Sequence, residues 1–298
     1  GSIASVYGFF YRPIYRTKHW DFAYQLNFGV AYALKKYDKL TNADNEFIGS
    51  HLLIYFGSAL KATYYLDDKW GIRAGLDFFH HSNGALNRPN KGANYFGPML
   101  GLVYSPERKV ILNHSKDTIQ KRFKPYFYTQ FTFGLGGKTL NEEWQRTQFG
   151  TQPTDPEYRT GNFKFYTACS FRSDLMYRYA QRWASGVGVD VFYGTYANRV
   201  RELDQSHGIV MKHSRLSVGI AAKHQVFYNN LSLSVALGYY LYRAMGENAS
   251  IIEKPYYEHV GIYYTFNKLK NLTLGAQVKA HATKADLTEL ILAIPIKI

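Results

Sequence analysis

Residues 271–281 read NLTLGAQVKAH, with Leu272, Leu274, Ala276, Val278 and Ala280 alternating without a break against Thr273, Gly275, Gln277, Lys279 and His281. Successive side chains of a strand point to opposite faces, so this stretch predicts a β-strand with one apolar and one polar face. The same alternation recurs upstream. In residues 231–241, LSLSVALGYYL, the odd positions Leu231, Leu233, Val235, Leu237, Tyr239 and Leu241 are the bulky apolar ones. Leu216, Val218, Ile220 and Ala222 alternate with Arg215, Ser217, Gly219, Ala221 and Lys223, and the final stretch sets Leu290, Leu292, Ile294, Ile296 and Ile298 against Glu289 and Lys297.

A soluble β-sandwich also has one apolar and one polar strand face, so alternation alone leaves two architectures open. Three features choose between them. The periodic segments run for about 11 to 18 residues, longer than the usual soluble strand of roughly 5 to 6 and enough for a tilted membrane crossing. Charged residues sit on the polar face far from the strand ends. Aromatic clusters such as YFYTQF (126–131), GYYLY (238–242) and IYYTF (262–266) fall near strand ends, where interfacial girdles lie. The predicted fold is an all-β, antiparallel transmembrane barrel of the outer-membrane type, a single domain over residues 1–298.

Strands are expected near 3–14, 20–35, 47–65, 69–82, 93–105, 122–137, 161–178, 182–196, 208–226, 230–244, 255–267, 270–283 and 287–298. Tight links at Leu66–Lys69, Ala180–Arg182, Tyr228–Asn230 and Asn267–Lys270 alternate with longer ones near 36–46, 138–160, 197–207 and 245–254, as an outer-membrane barrel requires. The segment Ser105–Lys121 is an exception, long on the short-turn side. Because antiparallel barrels of this class close with an even number, the expectation is 12 to 14 strands, with 14 favoured.

Composition limits the functional classes. With 27 Tyr, 20 Phe and 25 Gly among 298 residues, apolar and polar residues interleave, and no run of about 18 apolar residues offers a transmembrane helix. The opening GSIASVYGFF shows no basic segment followed by an apolar block, so no signal peptide is visible in it. Cys169 stands alone, which rules out an intrachain disulfide, and the histidines are scattered without a metal-ligand spacing. The formal charge of +14, from 36 Lys and Arg against 22 Asp and Glu, favours a polyanionic neighbour. No nucleic-acid-binding module accompanies it, and KRFK at 121–124, with Arg108, Lys109 and Lys116 upstream, suits anionic lipid headgroups.

The chemistry-bearing stretch is FFHHSNGALNRPNKGANYFG, residues 78–97. By parity Ile72, Ala74, Leu76 and Phe78 define the lipid face of the strand before it, and His80 and Ser82 share that face. Arg73, Asp77 and His81 point to the opposite, polar side as lining. On the next strand Asn94 continues the face of Phe96, Pro98, Leu100, Leu102 and Tyr104, so it can join His80 and Ser82. A histidine two residues from a serine on one strand face can take the hydroxyl proton as the serine attacks an ester carbonyl, and Asn83 or nearby backbone N–H groups can hold the oxyanion. The bland alternative is a set of interfacial polar residues at a strand end. His281 with Lys279 and Thr283 reads as interior lining, and Glu142 and Glu143 fall in a long loop from which a carboxylate would have to fold over the site.

His80-x-Ser82-Asn83 followed by the turn Pro89-Asn90-x-Gly92 resembles the lipid A 3-O-deacylases, also called acyloxyacyl hydrolases, of Gram-negative outer membranes; the clear match covers about residues 68–104. The resemblance implies Ser82 as nucleophile, His80 as general base and Asn83 as oxyanion contributor. It implies a multi-pass outer-membrane barrel, monomeric or a subunit of an outer-membrane complex, acting on an ester-linked acyl chain of lipid A in lipopolysaccharide without a cofactor. The family has glutamate twelve residues after the serine, where this chain has Asn94, and its small members have eight strands. The rival expectation is a barrel without catalytic activity that serves as a structural or partner subunit. A diffusion pore is a third, disfavoured by bulky aromatics on both faces of several strands.

Overall fold

A computed structural model of the protein describes residues 2–106, 123–282 and 284–298. Within them lie the strands β1 (Ile3–Arg16), β2 (Trp20–Ala33), β3 (Leu52–Tyr65), β4 (Trp70–Ser82), β5 (Ala93–Tyr104), β6 (Tyr126–Lys138) and β7 (Tyr166–Ala180). The series continues with β8 (Trp183–Gly194), β9 (His213–Tyr228), β10 (Leu231–Met245), β11 (Tyr256–Phe266), β12 (Leu272–His281) and β13 (Lys284–Lys297), and two short helices, α1 (Asn141–Phe149) and α2 (Ala197–Ser206), join them. Every strand pairing is antiparallel. Among the described residues no helix is long and apolar enough to cross a membrane.

The thirteen strands match the expected positions closely, but the expected single barrel of 12 to 14 strands does not form. Eight strands, β6 to β13, close a barrel through pairing of β13 with β6, while β1 to β5 form a five-stranded sheet in sequence order. The chain divides accordingly into two compact units, Gly1–Asn83 with Pro89–Lys121 and Gly84–Arg88 with Arg122–Ile298. Alternation reveals which face a side chain takes, whereas closure depends on which distant strands pair. Residues 107–122, with Arg108, Lys109, Lys116 and the start of the KRFK run, and Thr283 lie outside the described residues.

In the barrel unit the reading of 271–281 holds residue by residue. Thr273, Gln277, Lys279 and His281 are buried in the interior and Leu274 is exposed outward. An eight-stranded barrel has room inside for side chains only, and here that interior is ionic. Arg172 pairs with Glu289 at 3.1 Å, Lys223 bridges Asp174 at 2.5 Å and Asp190 at 2.6 Å, and Lys279 meets Asp286 at 2.9 Å. Each of these three buried cations has a carboxylate, which is the condition for burying charge without a prohibitive desolvation cost. Glu253, His281 and Asp286 cluster closely enough to suggest metal ligands. Lys138, Lys279 and Arg243 already neutralise their carboxylates.

Two links of the barrel unit, expected as loops, contain α1 and α2. Ala197, Val200 and Leu203, spaced three apart on α2, are buried with Leu140, Tyr166, Tyr196, Met245 and Leu287 at the long-loop end of the barrel. Burying each large apolar side chain there contributes roughly 1.5–3 kcal/mol. The same unit includes Gly84–Arg88. Thr139 donates from its backbone N–H at 2.9 Å and its hydroxyl at 3.0 Å to Ala85 O, Thr288 donates to Gly84 O at 2.6 Å, and buried Arg88 donates to Thr139 O through Nε at 3.2 Å and Nη2 at 2.9 Å. Burial pushes the Arg88 guanidinium below its ordinary range, while the charges of Glu142, Asp286 and Glu253 pull it back up.

In the five-stranded unit the even-numbered face is apolar and exposed, with Leu60, Ile72, Leu76, Phe96, Leu100 and Leu102. The odd-numbered face carries Asp21, Gln25, Asn27, Lys61, Thr63, Arg73 and His81. Lys61 Nζ donates to Gln25 at 2.9 Å and Arg73 Nε to Thr63 at 2.8 Å.

Candidate functional site

The register of β4 and β5 sets His80 directly opposite Asn94, and that of β3 and β4 sets Ser82 opposite Ile54 and His80 opposite Phe56. Directly opposed residues of an antiparallel pair put their side chains on one face within contact distance. His80 Nδ1 and Asn94 Oδ1 are 2.6 Å apart. An amide oxygen can only accept, so Nδ1 carries the proton and Nε2 keeps its lone pair for a proton-transfer partner. Asn94, expected to join His80 and Ser82, is therefore in contact with the histidine, on the apolar face that parity predicts.

The turn Pro89–Gly92 explains itself in the same unit. Asn90 Oδ1 accepts the backbone N–H of Asn83 at 2.9 Å, tying the two sides of the hairpin together just beyond Ser82. Gly92 has φ +73°, and a Cβ there would lie 2.7 Å from His80 Cε1, 3.4 Å from His80 Nε2 and 3.2 Å from His81 O. Only glycine satisfies both the left-handed backbone and the space the imidazole occupies. Gly92 N donates to Phe47 O at 3.1 Å, which fixes the turn against the loop between β2 and β3. That loop is ordered by Asp38, whose Oδ1 accepts Thr41 N at 2.8 Å, Thr41 Oγ1 at 2.9 Å and Leu40 N at 3.0 Å. The backbone N–H and hydroxyl of Thr41, then the N–H of Leu40, hold the Asp38 carboxyl below the usual carboxylate range.

Ser82 is buried at 7% exposure. The serine and histidine share one face, two residues apart, or roughly 6.7 Å along the strand. Asn83 is buried, and its backbone N–H is engaged by Asn90. His81 lies on the other face, as expected of lining: its Nε2 is 2.9 Å from Ser5 Oγ, and its ring packs against Tyr55 at 5.1 Å, Phe79 at 5.8 Å and Tyr95 at 6.0 Å.

Neither loop glutamate is a spare carboxylate. Glu143 accepts from Tyr166 Oη at 2.9 Å and Arg199 Nε at 2.8 Å, and Glu142 accepts from Asn248, all within the barrel unit. The roles of Asn90 and Gly92 were not read from the sequence, although the Pro-Asn-x-Gly spacing was the signal for them.

No curated protein matches the chain. Among solved structures, it is similar to a FadL homologue of Pseudomonas aeruginosa, with 12% identity over 97% of this chain and 75% of that one at a TM-score of 0.21. It is also similar to the FrpB iron transporter of Neisseria meningitidis, with 9% identity over 99% of this chain and 55% of that one at a TM-score of 0.22. The family model of lipid A 3-O-deacylase matches residues 2–103, the span of the five-stranded sheet, and that of the acyloxyacyl hydrolase C-terminal domain matches residues 126–297, the span of the closed barrel. With both units of the fold covered in this way, the chain belongs to the acyloxyacyl hydrolase family of lipid A 3-O-deacylases.

Proposed function

We propose that the protein is a serine esterase of the outer membrane that hydrolyses an ester-linked acyl chain of lipid A. The observation that carries this reading is the 2.6 Å bond from His80 Nδ1 to Asn94 on an apolar, exposed sheet face. A base oriented toward membrane lipid, two residues from a serine, suits a substrate whose ester is held in a leaflet.

In this mechanism Ser82 Oγ attacks the acyl carbonyl carbon while His80 Nε2 takes its proton. Asn83, or backbone N–H groups near it, holds the tetrahedral oxyanion. Collapse breaks the ester bond, and the imidazolium returns the proton to the departing sugar hydroxyl. Water, deprotonated by the same nitrogen, then attacks the acyl-enzyme; the fatty acid leaves and Ser82 recovers its proton. Asn94 fixes the ring and its tautomer throughout, but it supplies no negative charge to the imidazolium.

A fluorophosphonate probe tests the nucleophile: the wild-type protein is expected to be labelled at Ser82, and the His80→Ala protein only at background rate. Equal labelling of the two removes His80 as the base.

The second reading, a barrel without catalytic activity that acts as a partner subunit, is favoured by the amide at Asn94. Aspartate at this position separates the two. A charge-assisted hydrogen bond exceeds a neutral one by about 1–2 kcal/mol, so Asn94→Asp is expected to raise kcat roughly 5- to 30-fold. No activity in either form would favour the partner-subunit reading. The ion-paired barrel interior argues against a diffusion pore through the closed barrel.

A further inference from the structure

The two rims of the barrel unit differ in how their cations are compensated. At the long-loop rim, carboxylates stand beside some of them: Arg199 pairs with Glu143 at 2.8 Å and Glu202 at 2.9 Å, and Arg146 with Glu157 at 2.5 Å. At the short-turn rim stand Lys124, Arg178, Arg182, Lys268, Lys270 and Lys297. Residues 123–128, 176–186, 224–234, 263–274 and 294–298, which build that rim, contain no Asp or Glu. Five of the six cations are exposed and Arg178 is half-buried.

The rim is also aromatic. Arg178 lies 4.0 Å from the centroid of the Phe227 ring, Lys297 4.6 Å from that of Tyr126, and Arg182 5.8 Å from that of Tyr228. Arg178 is further held by donation to Gln181 O at 2.5 Å and Tyr126 Oη at 3.2 Å. Cations docked on aromatic rings place their charged heads at the depth where an interface has its headgroups. Phosphodiester oxygens accept from guanidinium and ammonium donors, and a cationic collar with no carboxylate among its described residues is stabilised by anionic lipid.

We propose that the short-turn rim of the barrel is a docking collar for the phosphate groups of anionic glycerophospholipid. This rests on the reading of the closed barrel as membrane-spanning and is independent of the chemistry at Ser82. Lys124, the last residue of the KRFK run, belongs to the collar. A soluble polyanion suits the rim less well, because the rings hold the charges at the apolar belt rather than on projecting loops.

The full chain in detergent micelles, doped with equal phosphatidylglycerol and phosphatidylethanolamine, is analysed by native mass spectrometry for retained lipid. Wild type is expected to prefer phosphatidylglycerol by roughly fivefold or more, and the preference is expected to vanish in a variant with Arg182→Gln, Lys268→Gln, Lys270→Gln and Lys297→Gln. A companion variant with Lys268→Arg, Lys270→Arg and Lys297→Arg keeps the charge and is expected to keep the preference, which guards against a folding defect. Equal retention of both lipids by wild type, or an undiminished preference in the glutamine variant, overturns the proposal. Displacement of the lipid by millimolar inorganic phosphate also overturns it, because the rim would then be a site for free phosphate.

Discussion

Alanine at position 92 is expected to lower turnover on lipid A about a hundredfold while leaving the protein folded. The added methyl group would sit 2.7 Å from His80 Cε1, so the imidazole or the turn must move. The turn is held by Gly92 N to Phe47 O at 3.1 Å and by the Lys91–Glu46 ion pair, and the ring by Asn94 alone at 2.6 Å. The ring therefore gives way. Displacing a catalytic group by about 1 Å costs on the order of a hundredfold in rate, and an alanine forced to remain at positive φ adds about 1–2 kcal/mol of local strain. Kinetics on purified Gly92→Ala protein in mixed micelles check this, with kcat falling and KM little changed. Wild-type kcat in this variant would remove His80 from the mechanism.

Glu289→Ala is expected to destabilise the closed barrel by roughly 3–5 kcal/mol, the usual cost of leaving one member of a buried ion pair alone. Arg172 and Glu289 are each under 3% exposed. Arg172 Nη2 is shared between Glu289 at 3.1 Å and Ser170 Oγ at 3.0 Å, and Nη1 lies 3.5 Å from His259 Nδ1, so loss of the carboxylate leaves the guanidinium facing only neutral partners, a hydroxyl and an imidazole, among these three. Gly134 makes room for this arrangement, since a Cβ there would come within 2.6 Å of Glu289 Oε1. Urea unfolding in lipid vesicles measures the loss. The double variant Arg172→Met with Glu289→Leu is expected to recover most of it, because removing both charges of a buried pair is often near neutral. A single variant with wild-type stability would show that water reaches the pair.

Local alternation made the strands legible. The side chains of 271–281 fall on the faces their parity assigns, and the same rule sets Asn94 on the face of His80, which the strand register then places opposite it. The eight-strand closure was not legible, because β13 and β6 are far apart in sequence and no periodicity records that Ile294 opposes Phe131. The helices escaped for a different reason. Leu140 and Tyr196 occupy the N-cap positions of α1 and α2, and neither makes a side-chain capping bond; the usual Ser, Thr, Asp or Asn signal of a helix start is therefore missing. At the site, residue types pointed to Ser82 and His80 as the proposed nucleophile and base, but only the folded turn shows that Asn90 engages the Asn83 N–H and that Gly92 backs the imidazole.

The measurement closest to the central claim is the mass spectrum of lipid A from cells producing either wild-type or Ser82→Ala protein. The catalytic reading predicts lipid A lacking one ester-linked acyl chain with the wild-type protein and intact lipid A with the variant. Loss of the same chain in both, or in neither, contradicts it.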